Sequence, residues 1–215
     1  MIRFFSHNLI WSEGRLYLIT TVLLGIASYF LFKPLIYVAL LLVLFLFYFF
    51  RYPKRAPEHG ADERSIISPA DGKVISIIYD PQHRLPGGYA YRISIFLSPF
   101  DVHVNWIPMS GMVKKIVYKP GKFLMAFLPK SSELNERNDI VLETAFGSLM
   151  IRQIAGTMAR RICCWVKEGD SLKVGDTFGM IKFSSRVDLF LPASCSVKLN
   201  VGDRVCGGQT ILGRF

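Results

Sequence analysis

The sequence predicts a mainly β protein of the α+β class, with its helix confined to an N-terminal hairpin. Three observations carry that reading. Between Leu16 and Phe50 the only clearly polar residues are Thr20, Thr21, Ser28 and Lys33, whereas everything beyond Ser65 is broken into short apolar runs. Those runs are β-branched or aromatic and are bounded by Gly, Pro, Asp or Asn, the signature of strands and turns. A turn-and-strand pattern also occurs twice near the C-terminus.

The apolar stretch comes first. As one straight helix its 35 residues would extend about 52 Å, far more than a hydrocarbon core of roughly 30 Å. Lys33-Pro34 lies near its midpoint, and proline lacks the backbone N–H and disfavours helix at the residue before it. A transmembrane helical hairpin is expected, with arms Leu16 to Phe32 and Leu35 to Phe50, each a little short for a full crossing. Arg3, Arg15, Arg51, Lys54 and Arg55 stand at its ends and only Lys33 at its tip, so charge bias places the remainder of the chain in the cytoplasm, at the inner membrane. A cleaved signal peptide fits worse: the stretch is too long, and Arg51-Tyr52-Pro53-Lys54-Arg55 follows it where a small-residue cleavage site would stand. The expected organisation is an anchor over 1–52, a linker rich in charge, Pro and Gly over 53–64, and a β domain over 65–215.

Expected strands are Val74 to Ile78, Tyr91 to Leu97, Val102 to Ile107, Met112 to Tyr118, Ile140 to Thr144, Leu149 to Ile154 and Val187 to Leu191. Ala155 to Trp165 is the best candidate for a short helix in this half. Gly169 to Phe178 aligns with Gly202 to Ile211 at an offset of 33, matching glycine, acid, apolar, glycine, threonine and apolar positions. Each copy reads as a tight turn entering a strand. Lipoyl and biotinyl carrier domains use similar turns in a flattened barrel-sandwich, a likeness of fold that carries no function.

Cys163, Cys164, Cys195 and Cys206 show no C-x-x-C and no histidine at ligand spacing, so reduced thiols and no metal are expected. Net charge is +10, of which +7 lies beyond residue 64 (19 basic against 12 acidic residues). A basic domain beside a bilayer favours anionic head groups over nucleic acid, for which no basic run interleaved with aromatics is present.

Three places could carry chemistry. In Phe100-Asp101-Val102-His103-Val104-Asn105, a strand would set Asp101, His103 and Asn105 on one face, with an imidazole able to act as acid or base near neutral pH; a solvated sheet face is the plainer reading. Asp71, in Ser68-Pro69-Ala70-Asp71-Gly72, precedes a strand and reads equally as a turn residue. Phe183-Ser184-Ser185-Arg186-Val187 has no G-x-S-x-G elbow, so a conventional serine hydrolase is weakly supported. A serine hydroxyl can instead attack the preceding carbonyl and turn amide into ester. β-Elimination then leaves dehydroalanine, which hydrolyses to a pyruvoyl cap on a new chain end.

Taken with Asn135-Glu136-Arg137-Asn138, these motifs stand in the order and approximate spacing of the phosphatidylserine decarboxylases. The chain from about Arg51 onward resembles their short, membrane-anchored bacterial form. The resemblance implies a proenzyme cut between Ser184 and Ser185, giving a β chain 1–184 and an α chain 185–215 held as a heterodimer, and it leaves a higher homo-oligomer open. It implies a covalent pyruvoyl group derived from Ser185, whose carbonyl condenses with the amine of phosphatidylserine and draws electrons as CO₂ leaves, yielding phosphatidylethanolamine. It further implies acid and base work by Asp71 and His103, with Asp orienting His, and no metal. Lys122, Arg137, Arg152, Arg160 and Arg161 are candidates for the lipid phosphate, with Lys122, Arg137 and Arg160 foremost. Two positions depart from the family: Ser184 replaces its usual glycine, and Trp106 stands where long forms carry a second histidine. Alternatives are a related aminophospholipid as substrate, or a membrane-tethered, non-catalytic β-sandwich.

Overall fold

The computed structural model describes residues 9–127, 131–157, 161–183 and 185–215. The chain divides into two compact units, Met1–Lys54 and Arg55–Phe215.

In the first unit a π-helical turn, Ile10–Gly14, leads into α1 (Arg15–Leu31), and α2 (Leu35–Phe49) follows. The break falls at the proline. Phe32 leaves the helix at φ −155°, and Pro34 stands at φ −58° ahead of α2, where a missing N–H costs no intrahelical bond. The helices meet at small residues: a Cβ on Gly25 would lie 2.9 Å from that of Ala39. At 1.5 Å per residue α1 and α2 extend about 25 and 22 Å. Among the described residues no helix is long and apolar enough to cross a membrane.

The second unit is built of β1 (Ser65–Ile67), β2 (Gly72–Tyr79), β3 (Tyr91–Leu97), β4 (Val104–Trp106) and β5 (Gly111–Lys119), then a single-turn α3 (Ser131–Leu134). It continues with β6 (Arg137–Thr144), β7 (Gly147–Ala155), β8 (Ile162–Cys164), β9 (Ser171–Leu172) and β10 (Thr177–Ile181). Last come β11 (Ser185–Leu191), β12 (Ser196–Val197), β13 (Arg204–Val205) and β14 (Ile211–Arg214). An eight-stranded sheet runs β13-β2-β3-β11-β7-β6-β5-β9, with two three-stranded sheets, β1-β14-β12 and β4-β10-β8. Val74, Ile93, Ile95, Ile140, Ile151, Val187 and Leu189 share one core with Ile66, Phe178, Ile181 and Leu212 of the smaller sheets. Period-2 alternation puts those side chains on one face of each long strand.

Among the described residues of the expected helix Ala155 to Trp165, from which 158–160 are excluded, none is helical. Its described parts are the end of β7 and the strand β8, whose Ile162, Cys163 and Cys164 pair with Ile181, Met180 and Gly179. A β-branched residue beside two cysteines has weak helix preference, and the partner strand decides the matter.

The repeat is realised in detail. Gly169, Gly175, Gly202 and Gly208 all adopt positive φ, between 74° and 106°. Asp170 Oδ2 accepts the Lys167 N–H and Asp203 Oδ2 the Asn200 N–H, each at 2.8 Å. Gly169 N–H donates to Val113 O and Gly202 N–H to Val74 O, again both at 2.8 Å. The duplication therefore extends to a second pair of segments offset by 39, Ser65–Tyr79 and Val104–Tyr118. There Pro69, Gly72, Val74 and Tyr79 correspond to Pro108, Gly111, Val113 and Tyr118. The unit contains two copies of one strand-and-turn plan.

At Gly72 the plan leaves no space: φ is 144°, and a Cβ would run into the Phe96 carbonyl. Gly72→Ala is expected to cost more than about 3 kcal/mol of stability. Gly169→Ala, at φ 89° with nothing near the added methyl, should cost only about 1–2 kcal/mol. Thermal unfolding in detergent, followed by tryptophan emission, compares the two.

Candidate active site

Ser185 opens β11, the strand at the centre of the large sheet. All seven residues of β11 are buried, and Ser185 pairs with Leu97 of β3 on one side and Ala155 of β7 on the other. Its side chain faces the core with Val187 and Leu189, and its Oγ is buried with no hydrogen-bond partner among the described residues. A buried hydroxyl left so costs about 1–3 kcal/mol. Two residues earlier Phe183 sits at φ 63°, a left-handed conformation that is costly for a bulky side chain. Unsatisfied polarity and backbone strain thus flank Ser184, which lies outside the described residues.

His103 is wholly buried. Its backbone carbonyl accepts the N–H of Ile181, the last residue of β10, so the backbone of His103 stands beside the end of β10, four residues before Ser185. Nδ1 lies 2.9 Å from the Asp101 carbonyl. A carbonyl only accepts, so in the neutral ring Nδ1 carries the proton and Nε2 the lone pair. The orienting group is a backbone oxygen rather than a carboxylate.

Asp71 lies at the same end of the sheet. The register sets Lys73 and Arg186 on either side of Phe96, which aligns Gly72, Leu97 and Ser185, so two strand spacings, about 10 Å, separate the backbones of Gly72 and Ser185. Its carboxylate does not orient His103. It takes both arms of the Arg55 guanidinium, Nη1 on Oδ1 and Nη2 on Oδ2 at 2.9 Å, and the Gly207 N–H at 2.8 Å. Arg55 also donates to Gly207 O at 2.7 Å and lies over the Trp106 ring at 4.7 Å. Burial pulls the Arg55 pKa down, but the hydrogen bond and charge of Asp71 outweigh it and the pKa is raised. Arg55, read from sequence as one more charge flanking the membrane segment, is thus part of the site.

The duplicated plan separates two roles at Asp71. Its counterpart at the offset of 39 is Ser110, whose Oγ accepts the Val174 N–H at 2.9 Å. Val174 is in turn the counterpart of Gly207 at the offset of 33. A side-chain oxygen bracing this turn is common to both copies; the negative charge and its arginine belong to one alone. Trp106 completes that copy, packed so closely that a Cβ on Gly208 would lie 2.9 Å from its Cδ1.

A buried chain of amides, which the sequence reading missed, ties the motifs together. Asn138 Nδ2 donates to Gln153 Oε1 at 3.1 Å, Gln153 Nε2 to Asn105 Oδ1 at 2.9 Å, and Asn105 Nδ2 to Pro69 O at 3.5 Å. Asn135 donates to Ala155 O at 2.7 Å and bonds Leu124 through both N–H and C=O, clasping the segment after β5 to the residue opposite Ser185. On the far face of β11, Arg186 binds Asp188 at 2.6 Å and reaches Ser94 and Ser132. The signal for this pair was the R-V-D-L alternation itself.

The phosphate candidates scatter. Lys122 has an exposed side chain, and its backbone bridges to Asn135. Arg137 opens β6 and donates to Glu133 O. Arg152 is buried against Asp139 at 2.6 and 2.8 Å. Arg161 is exposed, and its carbonyl accepts the Lys182 N–H at 3.2 Å. Arg160 lies outside the described residues. Among those residues no cluster of His, Cys, Asp or Glu is placed to hold a metal. Burial pushes the Cys195 thiol up to about 12.

Residues 42–213 match the family described as phosphatidylserine decarboxylase. The chain is 49% identical over 173 residues, 80% of its own length and 80% of the relative's, to a phosphatidylserine decarboxylase proenzyme from Syntrophus aciditrophicus (strain SB).

Arg55→Ala would leave the Asp71 carboxylate, nearly buried, with one backbone donor. A loss of about 2 kcal/mol is expected, lowering Tm by about 4–8 °C. Arg55→Lys should recover less than half, because an ammonium cannot fork across two oxygens. The same thermal unfolding assay reads both.

Proposed function

The chain belongs to the phosphatidylserine decarboxylase family and converts phosphatidylserine to phosphatidylethanolamine and CO₂; we propose that it does so through a pyruvoyl group that it makes from Ser185. The observation that carries this reading is the buried, unpartnered Ser185 Oγ beside a strained turn. A hydroxyl so placed fits the residue that must be consumed: nothing among the described residues holds it, and its own conversion removes the cost of burying it.

Maturation follows from the chain's own atoms. Ser185 Oγ attacks the carbonyl carbon of residue 184 and the amide nitrogen takes the proton, giving an ester. His103 Nε2, turned outward from the Asp101 carbonyl, serves as the base. Removal of the Ser185 Cα proton expels the residue-184 carboxylate, and hydrolysis of the resulting dehydroalanine releases ammonia. In decarboxylation the pyruvoyl carbonyl supplies an electron sink for the carboxylate of the bound amine. His103, then protonated, returns a proton to the carbon that loses CO₂. Asp71 acts as a positioning residue through Arg55, Gly207 and Trp106, holding the wall of the site and placing a fixed negative charge near it. Lys122, Arg137 and Arg160 remain the candidates for the lipid phosphate.

The duplicated plan supports a flattened barrel-sandwich of the lipoyl and biotinyl kind. With arms of about 25 and 22 Å, the helical pair suits a shallow hairpin that anchors the enzyme in the inner membrane, with the β unit on the cytoplasmic side. Strand pairing on both sides of β11 suits a heterodimer of the two products of cleavage.

Mass spectrometry of the purified protein should find a 31-residue fragment, 185–215, without a free N-terminal amine. Ser185→Ala should yield only intact, inactive chain; cleaved Ser185→Ala protein would refute the reading. Asp71→Ser copies Ser110, so it keeps the turn and removes the charge. It should fold yet cleave at least about tenfold more slowly, a loss of roughly 1.4 kcal/mol in transition-state stabilisation.

A further inference from the structure

Half of the ten large apolar side chains exposed on the β unit, among the described residues, stand at the end of the sheet where Ser185 begins. They are Phe100, Phe123, Met125, Phe127 and Leu134, between 42 and 66% exposed. Phe100 projects from the turn between Leu97, which pairs with Ser185, and His103. The other four lie on the segment that Asn135 clasps to Ala155, the second partner of Ser185. Phe127 is fixed over this end by an edge contact with Phe96, ring centroids 6.1 Å apart. Lys119, Lys122 and Arg161 are exposed among them. Monomeric surfaces seldom gather so much apolar area in one place without a partner.

The partner follows from the reaction. Phosphatidylserine is held in a leaflet by its acyl chains, while the atom it must reach lies beneath the surface at the start of β11. A head group can meet that atom without the chains leaving the bilayer only if the rim of the site touches the leaflet. Aromatic and methionine side chains suit the boundary between head groups and chains, and lysines beside them suit an anionic surface. We propose that Phe100, Phe123, Met125, Phe127 and Leu134, with Lys119, Lys122 and Arg161, form a docking surface that presses the mouth of the site into the anionic leaflet carrying the substrate. The proposal deepens the pyruvoyl reading, on which the location of the mouth rests, and it concerns the β unit itself rather than the helical pair.

The test uses the full chain. Phe123→Ser combined with Met125→Ser removes two exposed side chains to which the pyruvoyl reading gives no part in the chemistry. Decarboxylation of long-chain phosphatidylserine in vesicles should fall at least about tenfold, as expected for lost apolar burial. Turnover of a short-chain phosphatidylserine dissolved as monomers, and self-cleavage, should stay within about twofold. Separately, tryptophan placed by Phe123→Trp should be quenched by vesicle lipids brominated on their acyl chains, beyond the quenching of the parent protein. Equal losses on both substrates, no loss on vesicles, or an unquenched tryptophan would each overturn the docking surface. Absence of cleavage and of turnover on either substrate in the parent protein would instead defeat the pyruvoyl reading, and the quenching measurement would still decide the docking surface.

Discussion

The rest of the structure answers to one constraint: the bond proposed to be cut enters the middle of a sheet. β11 is paired with β3 along its whole length and with β7 from Ser185 to Phe190, and the strands after it stitch the tail elsewhere, β13 to β2 and β14 to β1. Breaking the chain before Ser185 removes one covalent link and leaves those ladders intact. Under the proposed maturation the new chain end would become a prosthetic group without drifting from the residues proposed to use it. The same arrangement leaves Ser185 buried and its hydroxyl without a partner among the described residues, a local cost that the surrounding sheet carries.

Duplication supplies the frame in which chemistry was placed. In one copy of the turn a serine hydroxyl braces a backbone N–H; in the other a carboxylate makes the same bond and adds charge, an arginine fork and an indole. The comparison divides the work of Asp71 without a mutation: the brace is architecture, and the charge is what the second copy lacks. It also accounts for Trp106, which fills the space between Arg55 and the Gly207-Gly208 turn.

Much of this was legible in the sequence. Tyr91–Leu97 reads as a strand residue for residue, the break at Lys33-Pro34 follows from proline chemistry, and the repeated glycines announced turns that need positive φ. The rest was hidden for physical reasons. β8 has too few residues to show a period, and its partner strand lies elsewhere in the chain, so Ala155 to Trp165 read as helix. Arg55 is 16 residues from Asp71 and sits in a charged stretch that resembles any membrane flank; only folding shows which carboxylate it meets. The orienting partner of His103 is a backbone carbonyl, to which side-chain patterns are blind. The amide chain from Asn138 to Asn105 spans three strands and leaves no periodic trace.

The central claim is that the residue at position 185 becomes the carbonyl that binds the substrate's amine. Reductive trapping tests it most directly: the purified enzyme is treated with phosphatidylserine and cyanoborohydride, and its chains are weighed. The account predicts a lipid-sized mass increase on the 185–215 fragment alone, mapped to its first residue and lost when Asp71 or His103 variants block cleavage. A lipid adduct on a lysine, or on an uncut chain that still releases CO₂, would contradict it.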